Sequence, residues 1–129
     1  MEETLSPAQA EVNQLVENGL QALDDFLKLD QDQVDYIVAK WSVAALDKHG
    51  ELAKLAIEET KRGVFEDKAT KNLFACEYVV NHMRHLKSVG VIKEDEVQGL
   101  TYVAEPVGVV AGVTPVTNPT STAIFKSLI

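Results

Sequence analysis

The 129-residue sequence has one cysteine, four prolines, one tryptophan and no surplus of positive charge. One thiol cannot build an internal disulfide framework. No apolar stretch approaches the ~20 residues that cross a bilayer. The opening Met1-Glu2-Glu3 lacks the basic flank of a secretory signal. A cytoplasmic protein away from membranes is the expectation. No fixed-period repeat or low-complexity tract is present. The formal net charge is −8, and residues 1–35 hold nine carboxylates against Lys28 alone, which accounts for all of it. Such a segment repels phosphate backbones, so nucleic acid is not an expected partner. A solvated helix face is the plainest use of the acids.

What is present is apolar patterning suited to a globular fold. Ser6-Pro7-Ala8-Gln9 is a helix start: Ser6 caps, Pro7 suits the first helical position, and Gln9 closes a capping box, with Leu5 placed for a hydrophobic staple. Val12, Leu15, Val16, Leu20, Leu23 and Leu27 then recur at helical spacing. Gly19 within this run costs about 1 kcal/mol relative to alanine. Asp30 with Gln33 repeats the cap logic ahead of Val34, Ile37, Val38, Trp41 and Ala45, and His49-Gly50 reads as the end of that helix. A third helix carries Leu52, Leu55 and Ala56 and stops at Gly63. A fourth opens at Glu66-Asp67 and presents Ala69, Leu73, Cys76, Val80 and Met83 on one face. Cys76 is therefore expected in a core, where a thiol is inert, although a cysteine is also a nucleophile when exposed.

Residues 91–99 read as a connecting loop. Beyond Gly99 the chemistry changes. Leu100–Ala104 is rich in strand formers, Pro106 interrupts it, and Val107–Val113 is a short apolar run with four valines and two glycines. A run without alternation predicts a strand buried on both faces, as in a parallel sheet. Asn118-Pro119 then marks a helix that carries Ala123, Ile124 and Leu128. Strand, turn and helix make the opening of a βαβ unit. With few residues after Pro119, a crossover of a dozen or more residues has no second strand to reach. The isolated chain is expected to be partly molten or aggregated beyond residue 100.

Two stretches resemble a known family. One is Gly63–Tyr78, GVFEDKATKNLFACEY. The other runs from Ala104-Glu105-Pro106-Val107-Gly108-Val109-Val110 through Thr114–Ile129, TPVTNPTSTAIFKSLI. Both are similar to the CoA-acylating aldehyde dehydrogenases, and the second stretch is similar to the N-terminal part of the bifunctional aldehyde–alcohol dehydrogenases. The likeness is strong from about Val34 onward. It implies an α/β fold: N-terminal helices over 1–99, then over 100–129 the first strand and helix of an incomplete aldehyde-dehydrogenase-type Rossmann domain. It implies an enzyme that interconverts a short acyl-CoA and an aldehyde with NAD(H) through a cysteine thioester. In bifunctional members, an iron-dependent half reduces the aldehyde to an alcohol. Such parents are homo-oligomers, and many form filaments.

The resemblance also assigns a site. Val113, Thr114, Pro115, Val116, Thr117 and Asn118 are expected to line the nicotinamide side of the NAD site, largely through backbone. Open α/β sheets bind ligands beyond the carboxyl ends of their strands, and Pro115 and Pro119 stiffen this turn. In the family, an asparagine amide here steadies an oxyanion. In this register Thr117 fills that position and Asn118 follows it, so Thr117 donates, or Asn118 reaches the site, or Asn118 only caps the helix; capping is the expectation. Thr120, Ser121 and Thr122 read as ordinary first-turn hydroxyls and Lys126 as an exposed helix lysine or a charge near the site. His82 and His85, three apart, lack an evident third metal ligand, and His49 reads as a helix-end residue. The nucleophilic cysteine, the acid/base glutamate and the iron ligands are expected outside these residues, leaving the chain silent by itself. A stand-alone helical interaction or oligomerisation module, and a stretch of a single-activity acylating dehydrogenase, are the alternatives.

Overall fold

The computed structural model describes residues 6–129. Helix α1 (Pro7–Phe26) begins as its sequence demands. Ser6 Oγ accepts from the Gln9 N–H at 3.3 Å, the Ser6 N–H donates to Gln9 Oε1 at 2.8 Å, and Pro7 occupies the first turn. The staple expected from Leu5 lies outside the described residues. The apolar stripe of α1 forms as expected, yet no residue of this helix is buried. Gly19 has a use that its propensity hides: a Cβ there would meet Val109 Cγ1 at 3.0 Å, so glycine admits the valine against the helix.

Helix α2 (Gln31–Thr60) is one element of 30 residues, which corrects the expected break at His49-Gly50. A glycine in a helix interior costs about 1 kcal/mol, far less than a proline, and packing overrides it. Here the exposed pair Lys48–Glu51, 2.8 Å apart, straddles Gly50. That hydrogen-bonded ion pair raises the Lys48 pKa and lowers that of Glu51. Asn72 Nδ2 donates to the His49 carbonyl at 2.9 Å. The actual stop comes at Lys61, whose positive φ of 56° leaves the helical region, followed by Gly63 at 79°.

Helix α3 (Phe65–Leu73) opens with Glu66 and Asp67, acids at the favourable end. It runs into a π-helical stretch, Phe74–Val79, and a last α-helical turn, α4 (Val80–Met83). Nothing in the periodicity announces the π-helix. Ser42 Oγ donates to the Cys76 carbonyl at 2.6 Å and so supplies a partner where the ladder widens. Ala45, Ala75, Cys76, Ile124 and Leu128 form the buried cluster, with Val38, Leu46, Leu52 and Val80 packed against it.

Residues 91–99 are not a loop. Strands β1 (Gly90–Asp95) and β2 (Leu100–Ala104) pair antiparallel, with a register irregularity between Val91 and Lys93. Gln98 N–H donates to Asp95 Oδ1 at 3.0 Å in the connecting turn, and Lys93 stands 5.1 Å over the Tyr102 ring. The Gln31 amide holds the approach to β1, with Oε1 accepting from the N–H groups of Ser88 and Val89 at 2.7 and 3.0 Å.

A third correction concerns Val107–Val113. Residues 105–115 have no regular secondary structure, and the run is not buried: Val107 is 92% and Val113 83% exposed. A strand requires a neighbour for its backbone groups, and among the described residues β2 pairs only with β1. Helix α5 (Pro119–Leu128) follows and buries Ile124 and Leu128. The result is a helix-rich α/β chain with a two-stranded sheet. It divides into two compact units, one formed by the chain up to Gln31 with Lys87–Ala111, the other by Asp32–Leu86 with Gly112–Ile129. No helix among the described residues is long and apolar enough to cross a membrane.

Candidate functional site

The second unit brings α3 to the turn that precedes α5. The turn closes on itself, the Asn118 N–H donating to the Pro115 carbonyl at 3.3 Å with Val116 and Thr117 at its centre. Pro115, the residue before the two central ones, has its own φ fixed by its ring. Two lysines one helical turn apart on α3 then brace it from outside. Lys68 Nζ donates to the Thr117 carbonyl at 2.8 Å, and Lys71 Nζ donates to Asn118 Oδ1 at 3.0 Å. Lys68 is only 7% exposed. Gly63 makes its room, since a Cβ there would stand 3.1 Å from Lys68 Cε.

Asn118 occupies the N-cap position, but its side chain makes no cap bond, which corrects the capping expectation. The physical reason is competition: an ammonium is a stronger donor than a backbone N–H, and Lys71 takes Oδ1. The amide nitrogen is then directed the other way, its nearest acceptor Thr117 Oγ1 at a long 3.5 Å. Asn118 is thus left with a poorly used donor beside Thr117, the two residues between which the sequence does not choose. Val113, Thr114, Pro115, Val116 and Thr117 are all exposed.

The hydroxyl cluster at the start of α5 is divided. Thr120 Oγ1 donates to Asn72 Oδ1 at 2.9 Å, and Asn72 Nδ2 donates on to His49 O, so a buried amide ties α5 to α2 and α3. This relay is invisible in the sequence, where Asn72 is one polar residue in a polar stretch. Ser121 and Thr122, with Thr70, Lys71, Phe74, Asn118 and Phe125, line an open cleft of about 470 Å³. Lys126 is exposed, with its stem near Gly112, where a Cβ would lie 3.7 Å from Lys126 Cδ.

The remaining candidates lie apart from the turn. Cys76 is fully buried, and burial pushes its thiol pKa up, as the core spacing foretold. Its thiol should react with Ellman's reagent about 100-fold or more slowly in the folded chain than in urea; prompt labelling under native conditions would contradict this burial. His82 and His85 meet edge to face at 6.3 Å, and among the described residues no group of three or more His, Cys, Asp or Glu side chains is placed to share a metal. His49 is not at a helix end; its Nδ1 lies 2.6 Å from the Leu46 carbonyl in mid-helix.

Comparison with known proteins gives a consistent picture. No family model matches the chain. An aldehyde-alcohol dehydrogenase of Streptococcus pneumoniae is 72% identical over 128 residues, covering 99% of this chain and 14% of the relative. Aldehyde-alcohol dehydrogenase 2 of Entamoeba histolytica is 64% identical over 120 residues, covering 92% of this chain and again 14% of the relative. In structure, the chain superposes on an acetylating aldehyde dehydrogenase from Geobacillus thermoglucosidasius with a TM-score of 0.90 at 44% identity, over 92% of this chain and 26% of that one. The chain therefore spans about one seventh of the length of these curated relatives.

Proposed function

We propose that the chain is a stretch of a bifunctional aldehyde–alcohol dehydrogenase, like the relatives it matches at 64% and 72% identity, and that it supplies the nicotinamide-side turn of an NAD-dependent, CoA-acylating aldehyde dehydrogenase. The reaction would interconvert acetyl-CoA, or another short acyl-CoA, and the aldehyde. The observation that supports this reading most is the Pro115–Asn118 turn, exposed yet braced at two consecutive residues by α3. A stiff, exposed turn offers carbonyls and amides to a flat ligand at low ordering cost, which suits a cofactor held through backbone. Val113, Thr114, Pro115, Val116 and Thr117 would hold the cofactor, and NAD would supply the hydride acceptor or donor. Asn118, its amide nitrogen directed away from Lys71, would donate to the oxygen that gathers charge when a thiolate attacks the aldehyde carbonyl.

The thiolate itself would come from elsewhere in the protein, because Cys76 is buried with a raised pKa. Iron, which the bifunctional type carries in its alcohol dehydrogenase half, would be held outside this chain. A cytoplasmic homo-oligomer, in some cases filamentous, is the proposed setting of the parent. A stand-alone interaction module would leave the braced turn without a use.

The test is the full-length protein supplied with acetaldehyde, CoA and NAD⁺. NADH should accumulate only when all three are present, and the 129-residue chain by itself should give none. NADH formation indifferent to CoA would reject the acylating reading.

A further inference from the structure

We propose that Lys68 and Lys71 are the positioning residues of the Pro115–Asn118 turn, setting from α3 where Thr117 and Asn118 stand. This rests on the turn lining the reaction site, as argued above. The case begins with cost. An ammonium taken out of water loses its hydration, and among the described residues no ion pair offsets that loss for Lys68. A methionine of similar length would fill the space beside Gly63 without the penalty. What the charge adds is one directed bond, 2.8 Å, to the Thr117 carbonyl. That carbonyl sits at the corner of the turn, and pulling it towards α3 fixes the plane of the Thr117–Asn118 peptide, whose N–H is the one that closes on Pro115.

Lys71 acts on the next side chain. A free carboxamide can present either end, and the ammonium accepts only one arrangement: oxygen towards Lys71, nitrogen away. A side chain that must aim a donor at a developing charge gains from being held in one orientation beforehand. The two lysines also sit beside the start of α5, where positive charge is unfavourable to the helix. For Lys71 that cost is offset by its place in the last turn of α3, where positive charge suits the helix end.

A purely structural role and a positioning role predict opposite pairings of stability and rate. In the full-length enzyme, Lys68→Met should leave thermal stability unchanged or raised, because a buried charge gives way to an apolar chain. It should lower kcat at saturating NAD⁺, CoA and aldehyde by about 10- to 100-fold. Lys68→Arg, which keeps a donor, should recover part of that loss. Lys71 is exposed, so Lys71→Met should change stability little; it should lower kcat by about 10-fold and add nothing further once Asn118→Ala is present. Wild-type kcat in both lysine variants, alongside a slowed Asn118→Ala, would overturn the positioning role while leaving the turn's place at the site intact. Wild-type kcat in Asn118→Ala and Thr117→Val as well would remove the turn from the reaction, and the positioning role with it.

Discussion

Asn72→Leu is expected to destabilise the chain by about 2–4 kcal/mol, read from urea unfolding followed by the helical circular dichroism signal. The replacement keeps the branched shape, with methyls bulkier than the amide groups they replace, so none of the loss comes from a cavity. It comes from two partners deprived at once: the His49 carbonyl, which receives Nδ2 at 2.9 Å, and Thr120 Oγ1, which donates to Oδ1 at 2.9 Å. Asn72 is 1% exposed, so water does not readily take its place. Thr120→Val removes only one of these bonds and should cost about 1 kcal/mol. The two losses should not add in the double variant, because both act through one amide. A loss under about 0.5 kcal/mol for Asn72→Leu would mean the relay contributes no more than an ordinary surface contact.

The second large effect is on rate. Asn118→Ala in the full-length enzyme is expected to lower kcat by about 10²- to 10³-fold, the usual consequence of deleting one donor to a developing oxyanion. Thr117→Val should cost less, under about 10-fold, because Thr117 is held by its backbone carbonyl and its hydroxyl is not fixed by a strong partner. Steady-state kinetics with each variant decides between the two residues. The reverse order, with valine at 117 the more damaging, would return the donor role to Thr117. Equal and small effects would remove both.

Much of this architecture is legible in the residues, and the exceptions share a cause. Ser6-Pro7-Ala8-Gln9 states its own helix start because every group it needs lies within four positions. The α5 start at Pro119 is legible for the same reason. Gly50 misleads because a local signal for stopping is outweighed by long-range packing across α2. The charged run Lys93-Glu94-Asp95-Glu96 masks a strand, since an open two-stranded ribbon tolerates charge that a buried sheet would not. Val107–Val113 reads as a strand, and its composition suits one, but a strand is a property of a pair and no strand pairs with it among the described residues.

At the site, the turn was legible and its supports were not. Pro115 and Pro119 announce a stiff segment, whereas Lys68, Lys71 and Asn72 lie more than forty residues away in sequence. One signal was available: Gly63 and Lys68 sit in a stretch that also carries the family likeness, and a glycine just before a helix invites the question of what approaches it. The capping expectation for Asn118 failed at the same point. It weighed only local acceptors and donors, and a lysine brought in by the fold outcompeted them.

The proposal on which the rest depends is that Val107–Val113, irregular and exposed here, pairs as a strand in the full-length protein, and that the turn after it faces a ligand. Amide hydrogen exchange over this segment tests it most directly, compared between the 129-residue chain and the full-length protein. The account predicts fast exchange from Val107 to Val113 in the chain alone. In the full-length protein it predicts protection by about 10³-fold or more, as for a central strand. Equally fast exchange in both would contradict it.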